Sequence, residues 1–179
     1  MRGLLIAGGI ALVVVVGVVF IVLEGRTLEK RTLTMRAVDS ASGDSFELAP
    51  PDGYLLIEDE RVQVPVGGIA LGRESDQGRA TIVIAPYPDD TDQLYTRAGC
   101  DAVAKLHAKQ VGAQLVDARV LGSPGSRCLA RIDEGPQFGG SMELRRVGPR
   151  SIMVTCRYPK DSAEDSDACA AAAGRLVPR

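Results

Sequence analysis

Apolar and polar positions divide this chain sharply. From Gly3 to Leu23 it reads GLLIAGGIALVVVVGVVFIVL, without one charged or polar side chain. At about 1.5 Å per residue such a helix extends roughly 31 Å, close to the thickness of a bilayer's hydrocarbon core. A helix satisfies its own backbone groups in lipid, whereas a core helix of this length would carry a polar stripe. The run therefore predicts a transmembrane helix. It is longer than the apolar part of a cleaved export signal, and Val22-Leu23-Glu24-Gly25-Arg26 offers no small-x-small cleavage site. Residues 1–25 are read as an uncleaved signal-anchor. Gly3, Ala7 and Ala11 form a small-xxx-small row, a spacing that lets helices approach closely.

Beyond the anchor the pattern changes. Residues 26–51 are charged, then rich in Ser, Gly and Asp, and close on Pro50-Pro51. They read as a tether, with one alternating stretch, Thr32 to Val38, able to form an edge strand. A folded domain is expected over 52–176. Tyr54–Ile57 is a short apolar strand. Arg61–Val66 alternates through Val62, Val64 and Val66, but Pro65 lacks a donor, so it is an edge strand. Gly67-Gly68 breaks it, and the charged stretch Gly72–Gly78 reads as a loop. Ala80–Ala85, ATIVIA, is β-branched and bounded by turn residues, as a central buried strand would be.

A helix follows from a cap at Asp90, with Gln93 three residues on, to about Val111. Leu94, Ala98, Gly99, Ala102, Val103 and Leu106 share one arc, and Arg97, Asp101 and Lys105 stack on the other. Strands are expected at Ala113–Leu121 and Ser126–Asp133, then a hairpin of Ser141–Val147 and Ser151–Tyr158 about Gly148-Pro149. Ser162 and Asp165 form a cap for a last helix, Ala163 to about Leu176, with Cys169, Ala172, Ala173 and Leu176 inward. A tail of 177–179 remains; Leu176–Arg179 matches the remnant of a thrombin-cleavable tag and is given no function.

The order strands, helix, four strands, helix predicts an α+β fold: a mostly antiparallel sheet covered by two helices, preceded by the transmembrane helix. From about Gly53 to Leu176 the chain resembles the PsbP-like α+β sandwich domains of exported, membrane-anchored bacterial proteins. The resemblance rests on the element order, the Val64-Pro65 edge strand before the first long helix, and cysteines on the last strand and helix. It implies an accessory, assembly or binding role. No motif that carries chemistry supports it, so it transfers no site residue.

The four cysteines, Cys100, Cys128, Cys156 and Cys169, all lie in the distal domain and include no C-x-x-C pair. An even number in an exported domain suggests disulfides. Cys156 ends a strand and Cys169 lies on the helix that folds back, so these two are paired, leaving Cys100 with Cys128. The disulfides favour an oxidising compartment. The basic residues beside the anchor, Arg26, Lys30, Arg31 and Arg36 against Arg2, point the other way. The domain is placed on the periplasmic or extracellular side of the inner membrane.

Charge is nearly balanced, with 21 basic and 23 acidic residues, so no strong field draws nucleic acid. Trp is absent, which leaves little for stacking on bases or sugars. Cys100 and the one histidine, His107, sit seven residues apart on one helix, roughly 10 Å along its axis, too far for a nucleophile and its base. Asp89, Asp90 and Asp92 lack the spacing of a calcium loop and suit a helix start. Arg127, Arg131, Arg145, Arg146 and Arg150, with Glu143 and Arg157 nearby, form a candidate patch for an anion or partner, or the solvated face of a sheet. No catalytic residue, cofactor or metal site is expected. The reading is a non-enzymatic, membrane-tethered domain that binds a partner protein or envelope component. The alternatives are an enzyme using scattered Asp, Glu and Arg residues, or a cytoplasm-facing regulatory domain with free thiols.

Overall fold

The computed structural model describes residues 33–36, 45–57, 62–88, 91–122 and 127–178. The apolar segment Gly3–Leu23 and the cap expected at Asp90 lie outside these residues, as does Asp89. Among the described residues no helix is long and apolar enough to cross a membrane.

The elements run β1 (Leu33–Arg36), β2 (Ser45–Leu48), β3 (Leu55–Leu56), β4 (Ile69–Ser75), β5 (Gly78–Pro86), a 3-10 turn (Asp92–Tyr95), α1 (Arg97–Gln110), β6 (Gln114–Leu121), β7 (Arg127–Asp133), β8 (Phe138–Val147), β9 (Arg150–Pro159), α2 (Ala163–Gly174) and β10 (Val177–Pro178). A seven-stranded sheet has the order β3-β4-β5-β9-β8-β7-β6, and a small sheet has the order β1-β2-β10. Every pairing is antiparallel. The small sheet takes in Leu33–Arg36 and Ser45–Leu48 from the stretch read as a tether, and fully buried Leu48 joins the main core.

Alternation along the strands places a helix on each face. On one face Ala80, Ile82 and Ile84 of β5 and Ile152, Val154 and Cys156 of β9 meet Cys169, Ala172 and Ala173 of α2. On the other, Cys128, Ala130 and Ile132 of β7 and Met142 and Leu144 of β8 meet Cys100, Val103, Ala104 and Ala108 of α1. The register sets these groups on opposite sides: Cys156 lies opposite Ser141, and Met142 opposite Thr155. The two helices are therefore staggered, α1 over the β6–β7 end and α2 over β9.

Three sequence expectations are corrected. The charged stretch Gly72–Gly78 is not a loop, because β4 runs to Ser75 and turns directly into β5. Its charges fit a strand because Glu74 lies opposite Arg79 and pairs with it. Val62–Val66 is not a strand. Pro65 supplies no donor, and Gly67, at φ 75°, turns the chain. The first helix starts later than expected. Leu94 and Tyr95 turn into the core, and Thr96 caps α1, its hydroxyl oxygen accepting from the Gly99 N–H at 3.1 Å.

Candidate functional site

Because α1 ends at Gln110, it leaves part of its sheet face bare. The bare floor is three cross-strand pairs of β5 and β9: Thr81 with Arg157, Val83 with Thr155, and Ala85 with Met153. One wall is the segment Val62–Pro65, and the other is the end of α1, with His107, Gln110 and Val111. Together they bound an open groove of about 1120 Å³. That is just above the range of roughly 300–1,000 Å³ for small-molecule sites.

Two glycines shape it. Gly68 donates its N–H to the Pro65 carbonyl at 2.9 Å. A Cβ on Gly68 would stand 2.9 Å from the Ala85 Cβ, so only glycine lets this wall come down onto β5. At the far end, a Cβ on Gly140 would stand 3.2 Å from Glu134 Oε1 and 2.8 Å from the Cys156 carbonyl. Its absence leaves room for Glu134 to lie across the sheet and accept from Arg157 Nε at 2.8 Å. The Arg157 guanidinium also lies 3.5 Å from the centroid of the Phe138 ring. The end of the groove thus holds a fixed, internally paired charge, while the rest of its floor mixes apolar Val83, Ala85 and Met153 with the neutral hydroxyls of Thr81 and Thr155. Arg79, paired with Glu74, stands at the same end.

His107 is half-buried in the α1 wall, and burial lowers its pKa below the ordinary value. It has no thiol to act on: Cys100 is bridged to Cys128, with Cα atoms 5.4 Å apart. Cys156 is bridged to Cys169 at a Cα distance of 6.1 Å. Both distances suit disulfides, and both pairings are those expected from the sequence. Each bridge fastens one helix to the strand beneath it.

Of the five arginines of the candidate patch, the β7–β8–β9 register puts Arg127, Arg131, Arg145 and Arg150 on one face and Arg146 on the other. Arg127 grips buried Glu143 through Nε and Nη2, at 2.7 and 3.0 Å. That hydrogen bond is the main cause of its raised pKa. Arg145, opposite Arg127, donates to the Ala173 carbonyl at the end of α2. Arg131 pairs with Asp117 at 3.3 Å. Arg146 points to the other face, where it pairs with Asp92 at 2.8 Å and stacks over Tyr95. Arg150 stands at the β8–β9 turn, opposite Val147. Among the described residues no group of three or more His, Cys, Asp or Glu side chains is placed to hold a metal.

Sequence reasoning missed two features. One is the groove, whose parts come from five separated segments. The other is a buried polar cluster under α2. Asp165, 1% exposed, accepts from Tyr54 Oη at 2.7 Å and from Ser162 Oγ at 2.6 Å, and pairs with Arg73 Nη2 at 2.7 Å. Burial first, then the hydrogen bond to Asp165, raise the pKa of the Tyr54 phenol far above the ordinary value. Arg73 also bonds Glu164, the main cause of its own raised pKa.

No protein-family model matches the chain, and no curated protein matches it. Among solved structures, the solution structure of cyanobacterial PsbP (CyanoP) from Synechocystis sp. PCC 6803 matches with a TM-score of 0.51 at 13% identity. The match covers 82% of this chain and 92% of that one. A crystal structure from Bacteroides thetaiotaomicron VPI-5482 matches with a TM-score of 0.35 at 14% identity, over 75% of this chain and 45% of the other. At these identities the first likeness is one of architecture, and it agrees with the element order read from the sequence: the chain has a PsbP-like α+β fold.

Proposed function

We propose that this chain is a membrane-tethered, extracytoplasmic domain without an enzymatic role, whose groove holds a segment of a partner protein or an envelope component. The groove carries this reading. Its floor and walls offer Val62, Val64, Val83, Ala85, Val111 and Met153, with Thr81 and Thr155 as neutral hydrogen-bonding groups. Its Arg157 and Glu134 already satisfy each other. Such a lining retains a ligand by shape and apolar burial, with a few polar groups fixing orientation. The apolar Gly3–Leu23 run supports the tether. The two disulfides support an oxidising compartment, since cytosolic thiols are kept reduced. The PsbP-like fold supports an accessory or binding role.

The test is photo-crosslinking of the full chain in intact cells, with a photoreactive residue in place of Val83 or Val64. A discrete adduct is expected, and it should disappear when Thr155→Trp fills the floor while both disulfides still form. Adducts that are equally strong with the floor filled would refute the reading. Turnover of a substrate abolished by Arg157→Ala would also refute it, in favour of an enzyme.

A further inference from the structure

β6 forms one margin of the seven-stranded sheet, and among the described residues no strand lies on its outer side. It is 8 residues long, whereas the opposite margin, β3, has only 2. Exposed edges of such length usually deter a second strand with Pro, Lys or a bulge. β6 has no Pro and no Lys. It has one irregularity, at Val116, between Leu115 and Asp117. Its two charges have opposite signs and flank Ala118.

The sequence about Ala118 is its own mirror. Leu115-Val116-Asp117-Ala118-Arg119-Val120-Leu121 reads the same in both directions, except that acid and base change places. An antiparallel pair of such strands, related by a two-fold axis through Ala118, sets Asp117 of each copy opposite Arg119 of the other. The pairing with β7 shows that these charges share a face, since Asp117 lies opposite Arg131 and Arg119 opposite Leu129. A two-fold axis perpendicular to the sheet keeps the faces matched. Farther out, the extra residue Val116 breaks the mirror's register, so the match rests on Asp117-Ala118-Arg119; Val120 and Leu115 lie on the other face, opposite Cys128 and Ile132. Val116, 52% exposed, is the extra residue of the bulge.

Asp117 now reaches Arg131 at 3.3 Å, with both side chains largely in solvent. Such a pair is weak and leaves Asp117 able to take a second cation. We propose that β6 is a self-complementary interface, through which two copies of this chain join edge to edge about Ala118 and continue the antiparallel sheet. The groove lies over β5 and β9, away from this margin, so both grooves of the pair stay open.

Charge exchange tests this. The full chain, purified in a mild detergent, should show a concentration-dependent dimer by sedimentation equilibrium. Arg119→Asp or Asp117→Arg alone places like charges opposite each other twice, and should weaken association about tenfold or more. The double variant D117R/R119D restores opposite signs and should recover the dimer. Amides of 117–121 should gain protection from hydrogen exchange only in the forms that associate. Both positions are exposed, and Asp117→Ala and Arg119→Ala give the same reading with a smaller shift if a charge reversal impairs folding. Three results would overturn the proposal. One is a chain monomeric at every concentration, which would leave the edge for a strand of another protein. Another is association indifferent to the charge changes, as it would be through Gly3–Leu23. The third is a double variant as weak as either single one.

Discussion

Helix α1 meets its sheet through Cys100, Val103, Ala104 and Ala108, beside Leu94 and Tyr95, and the buried Tyr95–Ser151 hydrogen bond there is neutral, at 2.8 Å. Helix α2 meets its sheet through Cys169, Ala172 and Ala173, and also through the ionic cluster at Asp165. The difference follows from side-chain size. Alanine removes little apolar area from water, at about 25 cal/mol per Å². A helix reading AEDSDACAAAAG therefore gains little from burial alone. Other ties hold α2: the bridge to Cys156, the Asp165 cluster at its start, and Arg145 on the Ala173 carbonyl at its end. An apolar contact ignores pH and tolerates adjustment. An ionic one fixes position but fails badly when a partner is lost.

The largest expected effect comes from that asymmetry. Asp165→Ala removes the carboxylate that Tyr54, Ser162 and Arg73 share. Breaking a buried ion pair from one side costs about 3–5 kcal/mol. A urea titration should show that loss in full, whereas Ala104→Gly under α1, also fully buried, should cost only about 1 kcal/mol. Equal losses would mean that the two helices are held alike.

The disulfides reverse the ranking. Cys100–Cys128 spans 28 residues and Cys156–Cys169 spans 13. In the chain-entropy model these are worth about 3.6 and about 2.9 kcal/mol. Replacing Cys100 and Cys128 together by Ala should therefore lower stability somewhat more than replacing Cys156 and Cys169, as read from paired denaturant midpoints. The opposite order would show that the second bridge does more than restrict the unfolded chain.

Much of the fold could be read from local pattern. Alternation in β7 and β9 located those strands, and Ser162 located the start of α2, where its hydroxyl oxygen accepts from the Asp165 N–H at 3.3 Å. The cysteine pairs followed from the faces on which those elements place Cys156 and Cys169. What escaped depends on distant partners. Glu74 and Arg79 look like loop charges until β4 and β5 pair. Asp165 looks like an ordinary cap residue, because Tyr54 lies 111 residues away in sequence. The groove exists because α1 stops short of β5, a relation that no window of sequence contains.

Alkaline pH should separate the helices next. The folded pKa of Tyr54 lies above its unfolded value of about 10. Above pH 10 the unfolded chain therefore releases a proton that the folded chain keeps, so stability falls as pH rises. The stability difference between pH 9 and pH 11 should shrink in Tyr54→Phe, which has no phenol to ionise. A slope unchanged by that substitution would place the alkaline sensitivity elsewhere.

The smallest effect belongs to the groove wall on α1. Burial lowers the folded pKa of His107 below the unfolded value of about 6.5. Its contribution is therefore fully present above pH 6.5. It is lost as pH falls toward the folded pKa, because the unfolded chain then binds the proton first. Asp133 also has a lowered pKa, held down first by its hydrogen bond from Lys160. Its contribution is lost only below the ordinary carboxylate range, so the two windows do not overlap. Stability should thus decline slightly just below pH 6.5, and His107→Gln should flatten that decline without changing the acid limb. A ligand seated in the groove would bury His107 further and favour its neutral form. Retention in the groove should then weaken across the same interval, and His107→Gln should remove that dependence as well. If His107→Gln flattens the stability curve but leaves the pH dependence of adduct formation from position 83 intact, the ligand does not rest against the α1 wall.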